Sequence, residues 1–154
     1  MGIEIERKFL VKDDSWRAAV SRSMPMRQGY IRSPDVTIRV RIKGADAILT
    51  FKGATTGVTR GEWQWPIPLQ DANELMEAFC GERIIEKVRH HVEVAGHVWV
   101  VDVFEGPHEG LVLAEIELES EDEDFVKPSW AGAEVSHDAR YYNSNLAAPR
   151  STSA

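Results

Sequence analysis

The sequence predicts an α+β, mainly β fold: an eight-stranded antiparallel β-barrel closed into a tunnel, with a charged interior and a few outer helices. Three observations carry this. About eight segments alternate, with apolar side chains at one parity and polar or charged ones at the other. Tight connections such as Gly44-Ala45-Asp46 and Ala95-Gly96 join consecutive segments, which implies antiparallel pairing. The charges at the polar parity are segregated by strand. Alternation alone leaves a sandwich open; the segregated charge argues for closure around it.

Each element is read in order. Residues 2–11 alternate as a first strand. Residues 13–22 are predicted as a short helix capped by Asp13 or Asp14. Strands follow over 26–32, 36–43, 46–52 and 58–69, with a Gly/Thr-rich loop over 53–57. Asp71 and Glu74 suggest a capping box. Leu75, Met76, Phe79 and Cys80 then show helical spacing, and Gly81 stops the helix. Three strands are predicted over 82–95, 97–105 and 110–119, and the acidic run 121–124 reads as a solvated loop. Residues 136–146 suggest a short helix. The organisation is one domain over 1–146 with a disordered tail over 147–154.

Same-face positions on a strand lie about 7 Å apart, from a rise of about 3.3 Å per residue. The first strand groups Glu4, Glu6 and Lys8. The third groups Thr37, Arg39, Arg41 and Lys43. Thr50 and Lys52 share a face, as do Arg60, Glu62 and Gln64, then Lys87 and Arg89, and finally Glu115, Glu117 and Glu119. A solvated face would mix signs. Unbroken carboxylate and cation rows make sense if a cation sits on the first and an anion on the second. Hard divalent cations prefer carboxylate oxygens, and phosphate oxygens suit Arg forks and Lys point charges. The apolar outer face then needs cover, and Trp63, Trp65 and Trp99 are expected under helices or in a dimer interface.

Composition narrows the class. The net charge of -7 argues against nucleic-acid binding through a general basic face. No apolar run approaches the ~18 residues of a membrane span, and Glu4 and Glu6 stand where a signal peptide would be apolar. Cys80 is the single cysteine, which excludes an internal disulfide and a cysteine zinc site and fits the cytoplasm. Walker, dinucleotide and HExxH motifs are absent. His90 and His91 lack metal-ligand spacing and fall on opposite faces.

The stretch Glu4-Ile5-Glu6-Arg7-Lys8-Phe9-Leu10-Val11 resembles the ExExK signature of CYTH-domain proteins, the triphosphate tunnel metalloenzymes. Gln28-Gly29-Tyr30, Arg39-Val40-Arg41, Leu49-Thr50-Phe51-Lys52 and Lys87-Val88-Arg89 follow in that family's order. So do Val101-Asp102-Val103-Phe104, Ala114-Glu115-Ile116-Glu117 and Arg140-Tyr141-Tyr142-Asn143. The resemblance implies Mg²⁺ or Mn²⁺ dependence and a triphosphate substrate. It implies metal on Glu4, Glu6, Glu62, Asp102, Glu115 and Glu117, and phosphates on Lys8, Arg39, Arg41, Lys52, Lys87 and Arg89. Gln64 stands where relatives often carry an acid. It also suggests that the Tyr141 region closes one tunnel end.

The expected activity is metal-dependent hydrolysis of a triphosphate, foremost inorganic triphosphate, to pyrophosphate and phosphate. Such chemistry needs positioning and charge neutralisation. Glu4 or Glu6 is expected to accept the water's proton, and Lys8 to act on the Tyr30 phenol so that it supplies the leaving-group proton. Alternatives are adenylate cyclase or thiamine triphosphatase chemistry in the same tunnel, and a non-catalytic polyphosphate or nucleotide binder. The expected partner is a small triphosphate, without nucleic acid or membrane, with a homodimer plausible from the apolar outer face.

Overall fold

The computed structural model describes residues 2–147. Nine strands form one antiparallel sheet: β1 (Gly2–Val11), β2 (Val20–Ile31), β3 (Thr37–Lys43), β4 (Asp46–Lys52), β5 (Thr59–Ile67), β6 (Ile84–Val94), β7 (His97–Phe104), β8 (Val112–Glu117) and β9 (Ala131–Glu134). Their order is β5-β4-β3-β2-β6-β7-β8-β1-β9, and β5 also pairs with β1. That last pairing, from Gly2↔Glu62 to Ile5↔Thr59, closes an eight-stranded barrel. The ninth strand pairs with the far part of β1, from Phe9↔Glu134 to Val11↔Ala131, outside the closed ring.

The hairpins form where backbone freedom permits. Between β6 and β7 the pair Val94↔His97 leaves a two-residue loop, with Ala95 at φ 48 and Gly96 at φ 85. Two left-handed residues match the twist of the flanking strands. Gly44 at φ 62 opens the equally short β3–β4 connection.

The polar parity faces inward. Outside, one apolar cluster covers β1, β6, β7 and β8, with Trp99 at 0% exposure beneath Phe125 and Trp130. A second lies where helix α1 (Leu69–Leu75) and the π-turn Met76–Cys80 pack on β2, β3 and β4. Gly29 permits this approach, since a Cβ there would stand 2.7 Å from Cys80 Sγ. A third cluster, of Tyr30, Ile85, Phe104, Leu113 and Ala147, packs with Leu10, Tyr141 and Leu146 at one end of the barrel. Trp63 and Trp65 remain 37% and 50% exposed on β5.

Several expected elements shift. Instead of a helix over 13–22, Ser15–Ala19 form a 3-10 turn and β2 begins at Val20. The Asp13 carboxylate accepts the Ser15 N–H, a local bond that competes with helix formation. Pairing of 20–25 with β6 then outweighs propensity. The capping box does not form: α1 starts at Leu69 after Pro68, with Asp71 already in its first turn. Cys80 lies in the core, whereas Phe79 is 59% exposed. Gly81, at φ 58, does end the helical segment. Residues 136–146 hold a 3-10 turn at Ala139–Tyr141 and a single-turn helix α2 (Asn143–Leu146). Of the expected tail 147–154, Ala147 is buried and the rest lies outside the described residues. The acidic run is more than solvated surface, because Glu121 accepts from Val58 N–H and the Thr59 hydroxyl.

Candidate active site

The barrel encloses a cavity of about 420 Å³. His91 and Val98 line it near the β6–β7 hairpin, and Thr37 and Thr55 line it at the opposite strand ends. It therefore reaches from end to end. Tyr142, Asn143 and Ser144 of the C-terminal segment complete its wall beside the apolar cluster that holds Ala147.

Carboxylates gather on β1, β8 and β5. The register sets Glu6 opposite Glu117 and Lys8 opposite Glu115, so these side chains share the inner face. Lys52 Nζ reaches Glu4 at 2.9 Å and Glu62 at 3.4 Å. Burial pushes Glu4 up, yet Lys52 and a hydrogen bond with Glu62 together hold the carboxyl below its ordinary value. Glu62 is raised by burial and by Glu4. Among the described residues neither Glu6 nor Glu117 makes an ion pair. Burial, then Glu115 and Glu4, push Glu6 up to about 8. Glu117 is raised by burial and then by Glu4.

Cations gather on β3 and β6. Arg39, 7% exposed, donates to the Thr50 hydroxyl at 3.4 Å, but among the described residues its buried Nε–H has no partner. Arg41 is pushed down to about 9 by burial, then by Arg39 and Arg89. Burial likewise lowers Lys87; Asp102 opposes this, and Arg89 and Arg41 add to it. Cations crowded until they repel one another call for an anion.

A buried network fixes these groups. Arg41 Nε–H donates to Gln28 Oε1 at 2.9 Å, which turns the amide so that Gln28 Nε2 donates to the Tyr30 hydroxyl at 2.8 Å and to Asn143 Oδ1 at 3.2 Å. Lys87 Nζ donates to the same Asn143 oxygen at 2.9 Å and pairs with Asp102 at 2.8 Å. Lys8 Nζ donates to the Tyr141 carbonyl at 2.9 Å and stands 3.5 Å from Glu115. Burial lowers the Lys8 ammonium, but Glu115 and Glu6 reverse this and leave it raised.

The cavity wall thus brings together Glu4, Glu6, Lys8, Tyr30, Arg39, Arg41, Lys52, Glu62, Lys87, Arg89, Glu115 and Glu117. Asp102 departs from its expected place. It is 1% exposed, off the wall, and both its oxygens are taken by Arg89 and Lys87. The Tyr30 oxygen meets the Gln28 amide directly, in place of the expected Lys8. Gln28, Asn143, Arg60 and His91 are further wall or network groups, beyond the set expected from sequence. Alternation places Arg60 and Gln28 on the inner parity; Asn143 carries no such signal.

Among the described residues, no three His, Cys, Asp or Glu side chains stand together as a ready metal cage. The donor chemistry nevertheless fits a hard divalent cation. Among the described residues Glu6 and Glu117 are carboxylates without an ion-pair partner, and Glu4 and Glu115 push on both of them. No helix among the described residues is long and apolar enough to cross a membrane.

Known proteins share this architecture. The CYTH domain family profile matches residues 2–144. An inorganic triphosphatase of Acetivibrio thermocellus is 46% identical over 147 residues, spanning 95% of this chain and 94% of that protein. One from Nitrosomonas europaea is 36% identical, covering 94% of this chain and 96% of the relative. A crystal structure of an inorganic triphosphatase superposes with a TM-score of 0.66 at 34% identity, over 96% of this chain and 95% of that one. With the profile spanning nearly the whole barrel and the charged wall in place, the chain belongs to the CYTH domain family.

Proposed function

We propose that this chain is a divalent-metal-dependent hydrolase that cleaves inorganic triphosphate to pyrophosphate and phosphate, with Mg²⁺ or Mn²⁺ as the ion. One observation carries the reading: a single tunnel opposes unpaired carboxylates to an overcrowded cation wall. The similarity to inorganic triphosphatases over almost the full length supports the substrate.

Glu4, Glu6, Glu115 and Glu117 would hold the metal, with Glu62 beside them, and the bound ion would neutralise phosphate charge and acidify a water. Asp102 is better read as the group that positions Lys87 and Arg89. Arg39 and Arg41 present guanidinium donors to the phosphate chain, and Lys52, Lys87 and Arg89 add fixed positive charge. Glu4, which is held ionised beside Lys52, or Glu6 once a bound cation has ionised it, would take the proton of the attacking water as the terminal P–O bridge breaks. The Tyr30 hydroxyl accepts from Gln28, which leaves its own proton free to turn toward the leaving oxygen. Lys8 supplies charge at that end of the chain. The single buried Cys80 fits a reducing cytoplasm, and exposed Trp63 and Trp65 fit a homodimer face. The acidic balance disfavours nucleic acid as a partner.

The test is phosphate release from inorganic triphosphate, ATP and thiamine triphosphate, each with Mg²⁺ or Mn²⁺. Selective turnover of inorganic triphosphate is expected. Cyclic AMP from ATP, preferential turnover of thiamine triphosphate, or binding without turnover would overturn the reading.

A further inference from the structure

We propose that His91 is a substrate-contacting residue, the third member of an anion-binding row with Lys87 and Arg89, and that its imidazolium form holds an end phosphate of the triphosphate. This rests on the triphosphatase reading. Strand β6 places the three side chains at successive same-face positions, about 7 Å apart. All three line the cavity, His91 nearest the β6–β7 end. Its neighbour His90 points the other way, against the Trp16 ring at 5.0 Å and the Ser23 hydroxyl, and is accounted for by packing.

The groups around His91 are mostly cations. On β6 itself stands Arg89, opposite on β2 is Arg22, and Lys43 approaches from the end of β3. On β7 the register partner is Val100, with Asp102 next along that face and already bound to Lys87 and Arg89. Val100 also separates His91 from Glu115 on β8. Among the described residues the His91 ring makes no hydrogen bond and no ion pair, so no protein carboxylate claims its proton. Burial, then Arg89, Arg22 and Lys43, hold the ring below its ordinary value in the free protein. A bound polyanion reverses the sign of that local field, and the ring gains a proton as the substrate docks. The contact is therefore present at low pH and lost as pH rises.

The experiment measures kcat and KM for inorganic triphosphate with Mg²⁺ between pH 6 and 9, in wild type, His91→Gln and His91→Lys. Titration of substrate and metal cancels in the ratio of variant to wild type. His91→Gln is expected to raise KM roughly three- to tenfold at pH 6 with kcat within about twofold, as befits one screened charge contact, and to converge on wild type at pH 9. His91→Lys keeps its charge and is expected to hold KM low at both ends. A KM ratio for His91→Gln that is flat across the range overturns the assignment while the triphosphatase reading stands. A wild type that turns over no inorganic triphosphate overturns both.

Discussion

Arg89 and Asp102 face each other across β6 and β7 as a two-pronged ion pair, Nε to Oδ1 at 2.8 Å and Nη2 to Oδ2 at 2.9 Å. Lys87 shares the same carboxylate, so one buried anion orders two wall cations. Asp102→Asn leaves Lys87 buried without its carboxylate and Arg89 with only Glu115, at 3.8 Å. A loss of about 3–5 kcal/mol is expected by urea denaturation, with a raised KM in whatever fraction folds. Unchanged stability would mean that water or other groups already satisfy the pair.

Acid should act through the same groups. Asp102 is held well below its ordinary value by Arg89 and Lys87 against the cost of burial, and Glu115 is held down to about 2 by Lys8 and Arg89. Depressed carboxyls stabilise the fold above their unfolded values and lose that contribution as pH falls through the folded ones. Stability is therefore expected to decline from about pH 4.5 toward pH 2. Glu115→Gln should flatten part of that slope in thermal melts.

Glu6 carries the opposite sign. Its carboxyl is raised to about 8, so the fold is favoured below the unfolded value of 4.5 and disfavoured as pH rises through 8. In chelator, the wild-type melting temperature is expected to fall between those values, and added Mg²⁺ or Mn²⁺ to restore it. Glu6→Gln should remove most of the chelator slope and cut turnover at least tenfold. A slope that survives the substitution would locate the repulsion elsewhere.

Lys8 touches the Tyr141 carbonyl and Glu115 within the tunnel. Lys8→Ala is expected to lower kcat by about two orders of magnitude, in the range of a lost charge-stabilising donor. Tyr30→Phe separates proton donation from packing. The ring survives, and a loss of kcat without a change in melting temperature marks the hydroxyl as the acid. Equal kcat would leave Tyr30 as wall alone.

Alternation makes the inner face of β1, β3, β6 and β8 legible, because a strand turns every second side chain to the same side and charge at that period marks one wall. What pairs with what is less visible. β1 closes onto β5 at Ile5↔Thr59, and no local pattern marks partners so distant in the chain. β9 is only four residues long, too short to show a period against its loop surroundings. Asp102 sits at the inward parity yet below the cavity wall, and parity reports a side, never a depth. Asn143 reaches Lys87 from a single-turn helix, too short to show a period of its own.

Glu121 shows how a surface acid can act at a distance. It accepts from Val58 N–H and the Thr59 hydroxyl, and Gly57, at φ 63, leaves it room: a Cβ there would stand 2.5 Å from Glu121 Oε1. Because Thr55 and Val58 line the cavity, Glu121→Ala is expected to loosen that rim. Faster amide exchange over 54–59 and a modest rise in KM are the expected readouts.

Strand β1 pairs with β5, β8 and β9 and with neither β2 nor β3. Its partners all follow it in the chain, so β1 cannot complete its pairing before they are made. The hairpins from β2 to β4 and from β6 to β7 need only local encounters; the seam at β1 requires the whole chain. Glu4, Glu6 and Lys8 ride on that strand. A nascent or partly unfolded chain therefore has half a tunnel and no meeting of its carboxylate rows. If these carboxylates hold the ion as proposed, affinity for it and completion of folding are expected to arrive in the same event, and a metal-binding signal during refolding would time the closing of the barrel.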